Sequence, residues 1–151
     1  MKFNIKLILI GGVVYYIAQW IISMATGMFI HEGVLDAAYQ SVPQFWRPEL
    51  NQDPPDMMAL MPRWIATGLI GAFIGTFIFD NVRAALSGSN AIKGLKFGLL
   101  MALFYASFNA GWSGVFNLPG EIWFWWIVDG FIIYILSGIV LGWIAGKISP
   151  E

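Results

Sequence analysis

Asp129 is the residue around which any chemistry in this chain would have to be arranged. It stands about two turns inside an apolar run at residues 121–147, EIWFWWIVDGFIIYILSGIVLGWIAGK. An ionised carboxylate at the centre of a membrane helix costs roughly 2.5–3.5 kcal/mol on insertion scales. Asp129 is therefore expected to be neutral, paired, or turned toward water. If residues 91–116 and 121–147 form a hairpin about Leu118 and Pro119, residues equidistant from the turn share a depth, and Asp129 falls opposite Asn109. A hydrogen bond between them would contribute about 1 kcal/mol. Further polar candidates come from the first apolar run. Tyr16 and Gln19 recur with Gly12, Ser23, Thr26 and Gly27 at steps of three and four, which is one face of a helix. The set Asp129, Asn109, Gln19 and Tyr16 has two readings. It fixes the register of a helical bundle, or Asp129 binds a cation, a proton or a polar headgroup.

Other chemistries find little support. His31 is the only histidine. The His31-Glu32 pair lacks the second histidine of a zinc-protease helix, so no metal site is expected. A haem would need His31 together with a methionine such as Met24 or Met28; no cofactor is expected. There are no cysteines, hence no thiolate site, no thiol nucleophile and no disulfide. A single histidine cannot supply a Ser-His-Asp set. Glu121 and Asp129 lie about 12 Å apart along a helix, too far to act together on one bond. An enzyme is the weakest of three classes.

The elements that must position these residues are membrane helices. Of 151 residues, 58% are hydrophobic and 11% charged, with mean hydropathy +0.70. Soluble domains carry about 25% charged residues. The apolar residues come in four blocks, which places transmembrane helices at about 7–30, 64–79, 91–116 and 121–147 in a single all-α membrane domain. Lys2 and Lys6 before the first block superficially suit a signal peptide, but the block is too long for one. Trp123, Trp125 and Trp126 at one end of the last block, and Trp143 with Lys147 at the other, are the aromatic belts of a spanning helix.

Residues 31–63 form a long outer loop. Pro43, Pro48, Pro54, Pro55 and Pro62 are expected to prevent a continuous helix there. Phe45, Trp46, Arg47 and Arg63 are its candidate docking surface. Lys2, Lys6, Arg83, Lys93, Lys96 and Lys147 fall on one side of the four crossings, and only Arg47 and Arg63 on the other. The positive-inside rule then puts both termini in the cytoplasm, with a bacterial cytoplasmic (inner) membrane as the expected location. Asp80 and Arg83 are expected to pair at that surface. Gly68, Gly71 and Gly75, and Gly138, Gly142 and Gly146, are candidate helix-packing glycines, with Gly71 and Gly75 in GxxxG spacing.

The leading expectation is a non-catalytic membrane protein acting by contact, an accessory or assembly subunit of a membrane complex or a lipid-binding module. The alternative is a small transporter or channel working as an oligomer around Asp129. Membrane lipids and another membrane protein, or a second copy of the chain, are the expected partners. A net charge of −1 makes no case for nucleic acid. The two readings separate on whether the polar faces line a cavity or bond to one another in a dry interior.

Overall fold

A computed structural model describes residues 3–150; Lys2, one of the charges counted for topology, lies outside them. No strand occurs among the described residues, and four helices are long and apolar enough to cross a membrane: Leu7–Val34, Met57–Ala85, Asn90–Ser113 and Gly120–Ile148. The first is composite. A π-helical turn at Leu7–Gly11 leads into α1 (Gly12–Phe29), and a second π turn at Ile30–Val34 ends it. A short helix, α2 (Asp36–Gln40), and two single turns, Pro43–Phe45 and Pro48–Leu50, follow. The remaining long helices are α3 (Met57–Val82), α4 (Asn90–Trp112) and α5 (Gly120–Ile148).

Two of the helix boundaries that differ from the sequence expectation bear on the site. Helix α3 begins at Met57, not near residue 64, and runs through Pro62. Asp56 caps it by accepting from the Ala59 N–H at 3.1 Å. Pro62 is the sixth residue of α3, just past the four leading N–H groups that lack an intrahelical partner, so it removes one i→i−4 bond, the one to the Met58 carbonyl. Helix α4 ends at Trp112, four residues early; the Phe116 N–H folds back on the Trp112 carbonyl at 3.0 Å and closes a turn. Within the outer loop, Leu35, Ala38 and Val42 pack with Ile30 and Ile122 into a small apolar core.

Helix α4 lies along α5, α5 along α1, and α1 along α3. The α4–α5 seam is glycine on glycine. A Cβ added to Gly94 would stand 2.1 Å from the Gly138 carbonyl oxygen, and one on Gly142 would stand 2.1 Å from that of Asn90. Gly98 faces the Tyr134 carbonyl in the same way, and Gly146 seats the Asn90 side chain. On α3, Gly68 and Gly75 receive the Tyr16 and Tyr15 rings, whereas Gly71 has open space above it. The GxxxG pair is therefore not one seam: Gly71 and Gly75 are a little over one turn apart, but only Gly75 meets α1.

A second apolar core gathers Leu7, Tyr15, Ala72, Phe79, Phe97, Leu141 and Ala145 at the end opposite α2. There α3 meets α4 through the Phe79 and Phe97 rings, with centroids 5.2 Å apart. The two ends of the described chain also meet there, the Asn4 side-chain amide donating to the Ser149 hydroxyl at 2.9 Å. Arg83 and Asp80 pair at 2.9 Å, buried rather than at the surface, because Arg83 also donates to the Ser149 carbonyl at 2.8 Å and is drawn under the end of α5.

Candidate functional site in the membrane interior

Along α1 and α5 the two apolar cores leave a gap. On α1 it runs from Tyr16 to Met24, and on α5 from Asp129 to Tyr134. A cavity of about 430 Å³ occupies it, walled by these stretches together with Trp64 and Gly68 of α3 and Tyr105 of α4. Two glycines shape the walls. A Cβ on Gly68 would come 2.5 Å from the Tyr16 ring, and one on Gly130 would come 2.4 Å from the Tyr105 ring. Each glycine lets a tyrosine ring lie against the helix backbone. Trp20 donates its indole N–H to the Tyr16 hydroxyl. The Tyr105 and Tyr134 rings lie 5.6 Å apart at 56°.

Asp129 is 8% exposed. Its Oδ2 lies 3.2 Å from His31 Nε2, and its Oδ1 is buried without a hydrogen-bond partner. His31 is held from behind: its Nδ1 is 2.5 Å from the Tyr39 hydroxyl, and the two rings stack at 9°. Trp126 donates its indole N–H to the same hydroxyl at 2.8 Å, and Trp46 donates to the Tyr39 carbonyl at 2.8 Å.

The donors assign the protons. An indole N–H can only donate, so the Tyr39 oxygen accepts from Trp126. With a neutral imidazole, the Tyr39 O–H donates to His31 Nδ1, and Nε2–H donates to Asp129. With a protonated imidazole, both ring N–H groups donate, and the Tyr39 oxygen has a lone pair left to accept the second. Only the neutral imidazole gives the Tyr39 O–H proton an acceptor in this arrangement. Burial holds the Tyr39 hydroxyl above the ordinary tyrosine range; the Trp126 N–H opposes this, and the Asp129 charge adds to it. Tyr39 thus stays neutral near pH 7.

Two parts of the sequence reading are corrected here. Asp129 does not bond Asn109, whose side-chain amide donates to the Tyr105 carbonyl in its own helix at 2.9 Å. The hairpin is asymmetric: Asn109 is three residues inside the end of α4, and Asp129 is nine inside the start of α5. Those six residues correspond to about 9 Å of depth. Tyr105, one turn deeper than Asn109, lies beside Gly130 instead. The second correction concerns a base within reach of Asp129. It is His31, which the sequence reading placed in the outer loop. Gln19 and Tyr16 do line the cavity with Asp129.

Comparison of the chain with protein-family models, curated proteins and solved structures finds no match. The site must therefore be read from its own geometry.

The outer-loop candidates divide. Trp46 turns inward, its ring edge-on to Tyr39 at 5.1 Å. Phe45 is 40% exposed, and Arg63 is also exposed. Arg47 makes a two-pronged contact with Glu49 at 2.8 and 3.2 Å. That pairing raises the Arg47 pKa and lowers that of Glu49, chiefly through the shared hydrogen bonds. Sequence reasoning missed Tyr39, Trp126, Tyr105 and Trp64 as neighbours of the site. The one usable signal was numerical: a single histidine and a single deep acid in the same chain.

Proposed function

We propose that this chain is an integral membrane protein that binds a small polar or cationic molecule between its helices, with the Asp129 carboxylate as the fixed polar group. One observation carries the reading: Asp129 lines a cavity rich in aromatic residues, and its Oδ1 is buried without a hydrogen-bond partner. A buried acceptor without a partner costs about 1–3 kcal/mol, a cost that a bound donor would remove. A carboxylate serving only to fix helix register would be expected to bond both oxygens within the fold. The reading therefore moves from an accessory subunit toward ligand or headgroup binding, with transport as its natural use. The cationic side chains Arg83, Lys93, Lys96 and Lys147, set near the end where Asn4 and Ser149 meet, favour that end facing the cytoplasm of a bacterial inner membrane.

The test is native mass spectrometry and tryptophan fluorescence on protein released from its own membrane in mild detergent. A small molecule retained by the wild type and lost from Asp129→Asn is the expected result. Equal retention by both proteins would reject Asp129 as the binding group.

A second reading, docking of another membrane helix, draws on Gly71. It is open above its Cα and flanked by Ile70 and Ile74, which are 58% and 53% exposed. A glycine on an outer face suits close approach by a second backbone.

A further inference from the structure

We propose that the molecule taken by the Asp129 cavity is an organic ammonium ion, the cationic head of a lipid or of a lipophilic amine. This rests on the binding reading above and names its ligand class. The first ground is charge. His31 bonds Asp129 Oδ2, Oδ1 has no partner within the fold, and the residue lines the cavity. A carboxylate oxygen in a site of low dielectric most favours a cation or a strong donor.

The second ground is the wall. Five aromatic residues, Tyr16, Trp20, Trp64, Tyr105 and Tyr134, line the cavity with that one acid. Aromatic faces attract cations through the ring quadrupole, and alkylated nitrogen is the class recognised by aromatic cages. The rings come in tilted pairs, Tyr16 with Trp20 at 71° and Tyr105 with Tyr134 at 56°, so the walls form corners. Glycines at 68 and 130 keep two of those rings in place.

The third ground is size and ligand number. About 430 Å³ falls within the range of small-molecule sites. A bare calcium ion wants six to eight oxygen ligands, several of them carboxylates in its usual sites, whereas the lining brings one carboxylate beside the neutral oxygens of Gln19, Ser23 and three tyrosines. Among the described residues no three of His, Asp or Glu are placed to share a metal ion. An alkylammonium needs one anion and several ring faces, and the lining supplies these.

The experiment uses the full chain in nanodiscs of phosphatidylglycerol, which has no ammonium group. Choline and its uncharged isostere dimethylbutanol are titrated against tryptophan fluorescence. Choline is expected to bind roughly tenfold more tightly or better, and Asp129→Asn to abolish the difference. Equal affinities, or binding of dimethylbutanol alone, would overturn the ammonium proposal and leave the binding reading standing; binding of neither would remove both. If Asp129→Asn does not fold, Trp64→Leu is used: it should weaken choline severalfold and dimethylbutanol little, and an equal loss for both would count against the proposal. Native mass spectrometry from phosphatidylethanolamine nanodiscs separates the sources. A retained lipid identifies the headgroup, and choline binding without retained lipid identifies a free amine.

Discussion

His31 Nε2 lies 3.2 Å from Asp129 Oδ2 although 98 residues separate the two in the chain. The contact joins the end of the first long helix to the interior of the last, and it gives Asp129 a partner that can carry a proton.

Removing that partner should cost stability. In His31→Ala Asp129 Oδ2 loses its bond too, leaving neither oxygen with a partner in the fold, for a loss of about 1–3 kcal/mol. Thermal unfolding in detergent should show a clear fall in Tm. His31→Ala with Asp129→Asn should recover part of it, because the double variant buries no unpaired charge. A double variant as unstable as the sum of the two singles would mean that the contact is not energetically coupled.

Tyr39→Phe deletes the oxygen that receives Trp126 and braces His31. The expected loss is about 1 kcal/mol. The wild type also has a pH signature. The Tyr39 pKa is raised above its ordinary 10.0 in the fold, so its contribution is complete below pH 10 and is lost as pH rises through the folded value. Denaturation curves across the alkaline range should therefore fall less steeply for Tyr39→Phe. Parallel slopes would show that Tyr39 ionises equally in both states.

Glycines in this chain should fall into two groups. Gly142→Ala places a Cβ 2.1 Å from the Asn90 carbonyl oxygen and should destabilise by about 1–3 kcal/mol. Gly71→Ala meets nothing within 4 Å and should be neutral or slightly stabilising. Tm values for the two variants check this directly, and a large loss in Gly71→Ala would reveal a partner on that face.

Gly130→Ala should act on the cavity more than on the fold. Its Cβ would stand 2.4 Å from the Tyr105 ring, a side chain that can swing where the Asn90 backbone cannot. Ligand binding is expected to weaken several-fold, with a smaller Tm change than in Gly142→Ala. Unchanged binding would show that the Tyr105 ring does not shape the site.

An alkaline phosphatase reporter fused within residues 43–50 should be active in a bacterial host, and one fused at the C-terminus inactive. The reverse pattern would invert the proposed orientation.

The four long helices were legible because lipid-compatible stretches announce themselves by composition, without reference to tertiary contacts. Asp129 was legible for the same reason, as a carboxylate out of place in such a stretch. What could not be read was phase and depth. Asn109 looked like its partner because a symmetric hairpin was assumed, and the early stop of α4 at Trp112 breaks that symmetry. His31 looked like a residue of the outer loop because the π turn at Ile30–Val34, which carries it alongside α5, has no composition of its own. Pro62 looked like a helix stop, and the cap at Asp56 moved the helix start ahead of it. The Gly71–Gly75 pair could not be divided without knowing which side of α3 meets α1.

The apolar interior is in two pieces, one round Phe79 and Phe97 and one round Leu35 and Ile122. In mechanical terms the first helix and α5 are struts clamped at both ends and hollow at mid-span, whereas α3 and α4 join only the clamp round Phe79 and Phe97. The proposed guest would then enter or leave the hollow at the expense of a few aromatic side chains, with both clamps closed.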